Sequence, residues 1–424
     1  MLDLKFIREN PDRIKAAAKS KNENVDVDKI LSLDEQRRGV IGEVEKLKAL
    51  RNKVSEQISI KKRNKEEVSE DIARMKEVGQ KIADFDSELR SIKEALDYHL
   101  IRIPNMPHSS VPVGADENAN VVVKTCGKVP DYGFKVLPHW EIGEKFGLID
   151  LPAGAKITGS GFIVYKGFGA RLVRALISFM LDTHTADGFV EIWSPFLANS
   201  DAMTGTGQLP KLAEDMYQVK DEDYYLVPTA EVTVTNLHRD EILDEKLLPV
   251  YYVAYTPCFR REAGAAGKDT RGTLRVHQFE KVEMVKIVHP DHSYDEHETL
   301  LQQAEKIIQK LGIPYQVKLL STGDLSFAAA KCYDIEIWAA GIEKYLEISS
   351  VSNYEDFQAR RMNTRFRAAD GRPYFVHTLN GSGVALSRLV AAILENNQTE
   401  YGTIIIPEVL RPYMGGQAEI TKSE

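Results

Sequence analysis

The sequence predicts an α+β protein in two parts: an N-terminal antiparallel coiled-coil hairpin, then a mixed body around an antiparallel sheet. Three observations carry that expectation. From about Asp26 to Leu100 there is no proline and little glycine, and apolar residues step by three and four. A proline-rich stretch, IPNMPHSSVPVG from Ile103 to Gly114, then ends the pattern. Beyond it, short strand signals alternate with helical ones and no internal repeat is visible. The expected division is an N-terminal domain over 1–103, a linker over 104–115 and a body over 116–424.

In the hairpin, Ile30, Leu33, Val40, Val44, Leu47, Val54 and Ile58 mark one seam, with Arg37 and Arg51 at two further seam positions. After the polar KKRNKEE the stepping resumes at Val68, Ile72, Met75, Ile82, Phe85, Leu89, Ile92 and Leu96. Each helix of about 35 residues reaches about 50 Å. Residues 46–81 hold eleven Lys/Arg against six Asp/Glu, whereas 26–45 and 82–100 are both net acidic. An isolated charge run reads as a solvated face. A basic tip above an acidic base, with Lys53, Lys61, Lys62, Arg63, Lys65 and Arg74 among its cations, favours a phosphate backbone as partner.

Composition narrows the class. The chain has 424 residues, 43% apolar and 28% charged, with a net charge of −8, which argues against wholesale nucleic-acid coating. Cys126, Cys258 and Cys332 are scattered and offer neither a disulfide framework nor a structural zinc pattern, as expected in a reducing cytosol. MLDLKFIREN carries charges where a signal peptide needs an apolar run. The most apolar helical stretch, Leu172–Leu181, contains Arg174 and is about half the length that crosses a bilayer. A soluble cytoplasmic protein with no membrane partner is expected.

Within the body, SYDEHETLLQQAEKIIQKLG reads as a helix with a Ser293/Glu296 capping box and a Gly312 stop. LEISSVSNYEDFQARRMNTRF reads as two strands around a bend. Phe259–Met284, FRREAGAAGKDTRGTLRVHQFEKVEM, reads as a hairpin: a loop of mostly small residues (AGAAGKDTRG) between arms that carry arginine and glutamate. Arg260 and Arg275 can make forked contacts to phosphate, Glu262 can accept from an adenine amino group or a ribose, and Phe279 can stack on a purine. There is no P-loop, and GSGVAL at 381–386 has Leu386 where a dinucleotide fingerprint needs its third glycine.

In NGSGVALSRLVAAILENN a strand ends at Thr378–Asn380, the glycines form a close turn, and Leu386, Leu389, Val390 and Ile393 share a helix face. The helix start favours an anion, and Arg388 is placed for a terminal phosphate. Glu347 with Ser349 and Ser350 suits Mg²⁺ carried by a nucleotide. Thr229 and Glu231 stand two apart, on one face of a strand, where a carboxylate can bind an amine. Glu283 and Ser382 add a small polar pocket. His289, His292 and His297 invite a metal reading, but they precede a surface helix. Taken singly, these residues read as surface ion pairs or a glycine-rich helix entry; together they read as a nucleotide site.

These stretches, with VPTAEV and the hairpin, closely resemble the seryl-tRNA synthetase family, over nearly the whole chain from LDLKFIREN to RPYMGG. FRREAGAAGKDTRGTLRVHQFEKVEM resembles class II motif 2, NGSGVALSRLVAAILENN motif 3, and Gly188–Pro195 motif 1, which implies a homodimer. The resemblance implies an antiparallel class II catalytic domain and an aminoacyl-tRNA ligase. Serine and ATP would give seryl-adenylate, and serine would pass to tRNA(Ser), and to tRNA(Sec) where present, forming AMP and diphosphate. It implies serine contacts at Thr229, Ala230, Glu231, Glu283, Asn380 and Ser382. It implies ATP contacts at Arg260, Arg261, Glu262, Arg275 and Phe279, at Glu347, Ile348, Ser349 and Ser350, and at Arg388. Arg260 and Arg388 would act on the α- and γ-phosphates, and Glu347 and Ser350 would hold the Mg²⁺. The basic hairpin tip would grip tRNA. One departure is Gly161 in TGSGFIVYKG, where the family usually carries arginine. Rival readings are a relative that loads a carrier protein and a non-catalytic RNA-binding scaffold.

Overall fold

The computed structural model describes residues 1–263 and 271–421. Two compact units result, Met1–Pro104 and Asn105–Glu424. Among the described residues no helix is long and apolar enough to cross a membrane.

The first unit opens with α1 (Leu4–Glu9), capped by the Asp3 carboxylate, and α2 (Pro11–Ser20), with proline in its first turn. The hairpin follows as α3 (Val27–Arg63) and α4 (Ser69–Leu100). Asp26 caps α3 by accepting from the Lys29 N–H. The seam is the one expected: Ile30, Leu33, Val44 and Val54 are buried on α3, and Ile82, Ile92 and Leu96 on α4, joined by Val78. It loosens toward the turn, where Ile60 and Ile72 are about half exposed. Arg51 is exposed rather than in the seam.

Arg37 has a specific partner. The buried Asp34 carboxylate accepts from Arg8 Nη1 at 2.8 Å, Arg37 Nη2 at 3.0 Å and Arg38 Nε at 3.0 Å. Burial alone would raise its pKa, but the Arg8 and Arg37 hydrogen bonds outweigh that and hold it below the ordinary carboxylate value.

In the second unit, the stretch after Pro104 is tied down by hydrogen bonds: Asn105 Nδ2 donates to the Ala328 and Tyr354 carbonyls, and the His108 N–H to Ala330. The main sheet has eight strands: β1 (Val121–Cys126), β2 (Val190–Ile192), β3 (Val250–Phe259), β4 (Gln278–Val288), β5 (Tyr315–Leu319), β6 (Lys331–Ala339), β7 (Lys344–Asn353) and β8 (His377–Ala385). Their spatial order is β1-β5-β6-β7-β8-β4-β3-β2. All pairs are antiparallel except β2 with β3, so the expected α+β class with an antiparallel sheet holds.

Register fixes two chemically different faces. Ser382 pairs with Glu283, and Glu283 with Ala254; Ser352 pairs with Asn380, and Asp334 with Ser350. The other face carries Val282, Met284, Ile335, Val351 and Val384, all fully buried. Against that apolar face pack α6 (Phe168–Ala186), α8 (Ser293–Leu311) and α10 (Leu386–Asn396). The short helices α5 (His139–Lys145), α7 (Ala230–Thr235) and α9 (Phe357–Met362) complete the set used below.

Three local expectations change. Gly381 and Gly383 lie within β8 and form no turn; a Cβ at Gly383 would stand 2.9 Å from His184 Nε2, so the bare backbone lets the sheet approach α6. Ser293 does not cap α8: it occupies the first helical position, and its hydroxyl instead meets Asn353 Nδ2 and His377 Nδ1. The segment after β7 inserts α9 before its next strand, Arg365–Arg367. Gly312 stops α8 at φ 71° as expected, and Leu386, Leu389, Val390 and Ile393 all face the core.

Replacing Asp34 by Asn should destabilise the chain by about 1–3 kcal/mol at pH 7, since three guanidinium groups lose a charged acceptor. Because the folded pKa lies below the unfolded one, the stabilisation is present above about pH 4 and fades as the pH falls below it. Urea unfolding of the variant and wild type at pH 7 and pH 3.5 checks this; an equal gap at both values would contradict it.

Candidate active site

On the polar face of the sheet lies a cavity of about 640 Å³. Side chains alternate along β4, so Phe279, Lys281 and Glu283 all enter it. From Phe279 to Glu283 the strand rises about 13 Å, at roughly 3.3 Å per residue. The two ends of that span have different chemistry.

Around Glu283 the groups are buried and acidic. Ser382 Oγ donates to Glu283 Oε2 at 3.1 Å, and Lys281 Nζ reaches the same oxygen at 2.5 Å. Lys281 also donates to Thr229 Oγ1 at 2.9 Å. Thr229 and Glu231 are not on a strand. Thr229 is the N-cap of α7, accepting from the Glu231 N–H, and Glu231 sits in the first turn. Both side chains still reach the cavity. Glu231 Oε1 accepts from Gln358 Nε2 at 2.6 Å, and Gln358 is oriented in turn by the Thr378 hydroxyl, 2.7 Å away. Burial, then the neighbouring Glu283 charge, pushes the Glu231 carboxyl up to about 7. Tyr354 OH donates to Asn380 Oδ1 at 2.9 Å. Such a pocket can take a cation beside a hydroxyl.

Around Phe279 the groups are basic and partly open. The Arg260 guanidinium lies over the Phe279 ring, 5.3 Å from its centroid. Arg275 Nη1 donates to Glu262 Oε2 at 2.9 Å. Arg388 projects from the first turn of α10; its Nη1 donates to the Glu347 carbonyl at 2.7 Å and lies 3.4 Å from Glu347 Oε2, while its Nε donates to Leu274 O at 3.1 Å. Ser350 Oγ is 3.3 Å from Glu347 Oε1. Opposite Ser350, burial and the Glu347 charge push the Asp334 carboxyl well up. Ser349 Oγ donates to the Ser382 carbonyl at 2.6 Å, joining the two regions, and Ile348 lines the wall.

The cavity therefore gathers Thr229, Glu231, Arg260, Glu262, Arg275, Phe279, Glu283, Glu347, Ile348, Ser349, Ser350, Asn380, Ser382 and Arg388. Ala230 is buried in α7 and does not line it. The Arg261 side chain is exposed; its backbone N–H donates to Asp215 O. The loop expected over AGAAGKDTRG falls largely on residues 264–270, outside the described residues. Among the described residues no cluster of His, Cys, Asp or Glu forms a metal site, His289, His292 and His297 included. On the hairpin, Lys53, Lys62, Arg63, Lys65 and Arg74 are exposed, while Lys61 is half-buried and paired with Asp71 at 2.6 Å.

Residues 1–107 match the seryl-tRNA synthetase N-terminal domain, and residues 216–397 match the tRNA synthetase class II core domain (G, H, P, S and T). The serine–tRNA ligase of Geobacter sulfurreducens is 53% identical over 422 residues, covering 99% of this chain and 100% of that protein. The chain belongs to the seryl-tRNA synthetase family. The solved seryl-tRNA synthetase of Pyrococcus horikoshii, complexed with ATP, is similar over 100% of both chains at TM-score 0.94 and 40% identity. The cytoplasmic serine–tRNA ligase of Naegleria fowleri, in complex with AMP, is similar at TM-score 0.88 and 32% identity, over 100% of this chain and 99% of that one. The chain is a ligase that activates serine and charges tRNA with it. The carrier-loading and scaffold readings fall away.

In this synthetase, Gly161 is matched to its surroundings. It adopts φ +81°, its carbonyl accepts from the His277 N–H at 2.8 Å, and a Cβ would lie 2.5 Å from His277 Cδ2. His277 in turn pairs with the Arg260 backbone. Arginine at 161 would displace that ring.

Lys281, Tyr354 and Gln358 also build the site, although no expectation from the sequence named them. Lys281 was findable, since it stands midway between Phe279 and Glu283 on the same strand face. Gln358 meets Glu231 across 127 residues of chain, and no local pattern signals that contact.

The neutral variant Glu231→Gln should be more stable than wild type at pH 8, on the order of 1–3 kcal/mol. A raised folded carboxyl pKa gives stability that is present below about pH 4.5 and is lost as the pH rises through about 7. The gap should therefore vanish near pH 4.5. Denaturant midpoints at both values check it, and a less stable variant at pH 8 would contradict it.

Proposed function

We propose that the cavity holds serine and ATP end to end along β4, serine at the Glu283 end and adenine at the Phe279 end. The observation that carries the reading is this polarity: a buried acid–hydroxyl pocket and an open guanidinium region, about 13 Å apart on one strand face. The serine ammonium pairs with Glu231 and Thr229, over the first turn containing Ala230. Its hydroxyl meets Glu283 and Ser382, with Asn380 beside them. A pocket built to hydrogen-bond a hydroxyl rejects alanine strongly, because the buried acceptor and donor would be left unpaired.

Adenine stacks on Phe279 with Glu262 on its edge. Arg260, which lies over the same ring, then stands within reach of the α-phosphate, and Arg275 and Arg388 take the outer phosphates. Arg261 contributes through its backbone position. Glu347 and Ser350 offer the hard oxygen donors that suit Mg²⁺ brought with the nucleotide, which would neutralise phosphate charge; Ile348 and Ser349 form the wall between them. The serine carboxylate attacks the α-phosphorus in line, the bond to diphosphate breaks, and Arg260 stabilises the charge that develops. The terminal ribose hydroxyl of tRNA then attacks the seryl carbonyl and AMP leaves. No side chain becomes a covalent nucleophile.

The basic hairpin tip, with Lys53, Lys61, Lys62, Arg63, Lys65 and Arg74, would hold the backbone of tRNA(Ser), and of tRNA(Sec) where present, by charge and shape. Val190 and Trp193, exposed on and beside the edge strand β2, suit burial by a second copy, supporting a homodimer. The chain would work in the cytoplasm.

Three measurements test this reading. Among the amino acids, only serine should drive rapid ATP–pyrophosphate exchange, with Arg260→Ala lowering its rate about 10²-fold or more; equal exchange with alanine would refute the pocket. Neutralising Lys61, Lys62 and Arg63 together should weaken tRNA charging about tenfold or more at moderate salt while exchange stays intact; equal loss in both would refute the division of labour. Because the ammonium needs ionised Glu231, serine affinity should fall by up to about tenfold per pH unit below 7, with proton release on binding. Calorimetry in two buffers of different ionisation heat at pH 7 reads that proton; no release would contradict the Glu231 contact.

A further inference from the structure

Glu395 is fully buried in the last turn of α10, where the helix dipole disfavours a carboxylate. Its oxygens are claimed by residues distant in sequence. Oε1 accepts from the His139 backbone N–H at 2.9 Å and lies 2.7 Å from His139 Nδ1, and Oε2 accepts from the Gly341 N–H at 2.9 Å. His139, at the start of α5, is equally buried, and its Nε2 accepts from the Thr273 backbone N–H at 3.1 Å. A backbone N–H only donates, so Nε2 carries no proton there and Nδ1 donates to Glu395. The pair thus fixes one imidazole tautomer.

The neighbouring contacts converge on the same short segment. Gly272, at φ +74°, brings bare backbone against the ring; a Cβ would stand 2.1 Å from His139 Nε2. Thr273 Oγ1 donates to the Ser387 carbonyl at 3.1 Å, and the Arg271 guanidinium lies over the Trp140 ring, 4.6 Å from its centroid. Leu274, Arg275 and Val276, the next three residues, line the cavity. Leu274 O accepts from Arg388 Nε at the other end of α10. Residues 388 and 395 are seven apart, so they lie on one side of the helix. The helix acts as a strut that grips the segment directly at Arg388 and, through His139, at Glu395.

We propose that His139 and Glu395 are positioning residues that set segment 271–276 against α10, and through it the placement of Arg275 and Arg388 toward ATP. Neither residue lines the cavity. The proposal rests on the cavity being the serine and ATP site.

Serine-dependent pyrophosphate exchange with active-site-titrated full-length enzyme tests it. His139→Leu keeps bulk but leaves the Thr273 N–H without an acceptor, and KM for ATP should rise about tenfold while KM for serine changes less than about twofold. His139→Gln, whose amide oxygen can accept near the Nε2 position, should recover most of that loss. Thr273→Val removes the Ser387 anchor alone, should show the same ATP-selective rise, and carries the test if the leucine variant is insoluble. An unchanged ATP KM, a rise shared equally with serine, or a glutamine variant as impaired as leucine would overturn the proposal. Absence of serine-dependent exchange in the wild type would instead overturn the reading of the cavity.

Discussion

The register of β4 between β3 and β8 governs the site. Side chains on a strand alternate, so pairing Ser382 with Glu283 sends Phe279, Lys281 and Glu283 to one face and Val282 and Met284 to the other. A slip of one residue would drive a lysine and a glutamate into the helix-packed core and turn the apolar set toward the cavity. Packing on the far side makes such a slip costly. Gly381 and Gly383 approach the core helices closely, and the irregularity between Ser382 and Val384 keeps the hydroxyl on the polar face and the valine in the core.

That arrangement concentrates buried charge without fully neutralising it. Among the described residues Lys281 is the cation beside Glu231 and Glu283, and burial with the Glu283 charge pushes the Glu231 carboxyl up to about 7. At the other end Glu347 is partly exposed beside Arg388, and its charge, together with burial, pushes the Asp334 carboxyl well up. Each excess costs stability in the empty cavity. In the proposed complex each is offset, by the serine ammonium at one end and by cations arriving with the nucleotide at the other. Electrostatic preorganisation of this kind favours the bound state over the free protein.

Much of this was legible in the sequence because it is periodic. The hairpin announces itself through apolar steps of three and four, and the strand carrying Phe279 and Glu283 through alternation. Misreadings arose where tertiary context overrode local pattern. Val232, Thr233, Val234 and Thr235 carry strand propensity, yet the Thr229 cap and burial of Ala230, Val232 and Val234 fold the segment as α7. Ser293 had a capping sequence but its hydroxyl is drawn to Asn353 and His377. The glycines after Asn380 suggested a turn, whereas their task is close approach within a strand. Gln358, Tyr354 and the His139–Glu395 pair act across long separations, and nothing in their local sequence encodes the partner.

The most direct measurement is a crystal structure of the chain with a sulfamoyl analogue of seryl-adenylate. The account predicts the ammonium within hydrogen-bond distance of Glu231, the seryl hydroxyl between Glu283 and Ser382, the adenine on Phe279, and Arg260 on the group that replaces the phosphate. An analogue bound elsewhere, or bound in the cavity with the seryl group at Phe279 and Arg260 turned to solvent, would contradict it.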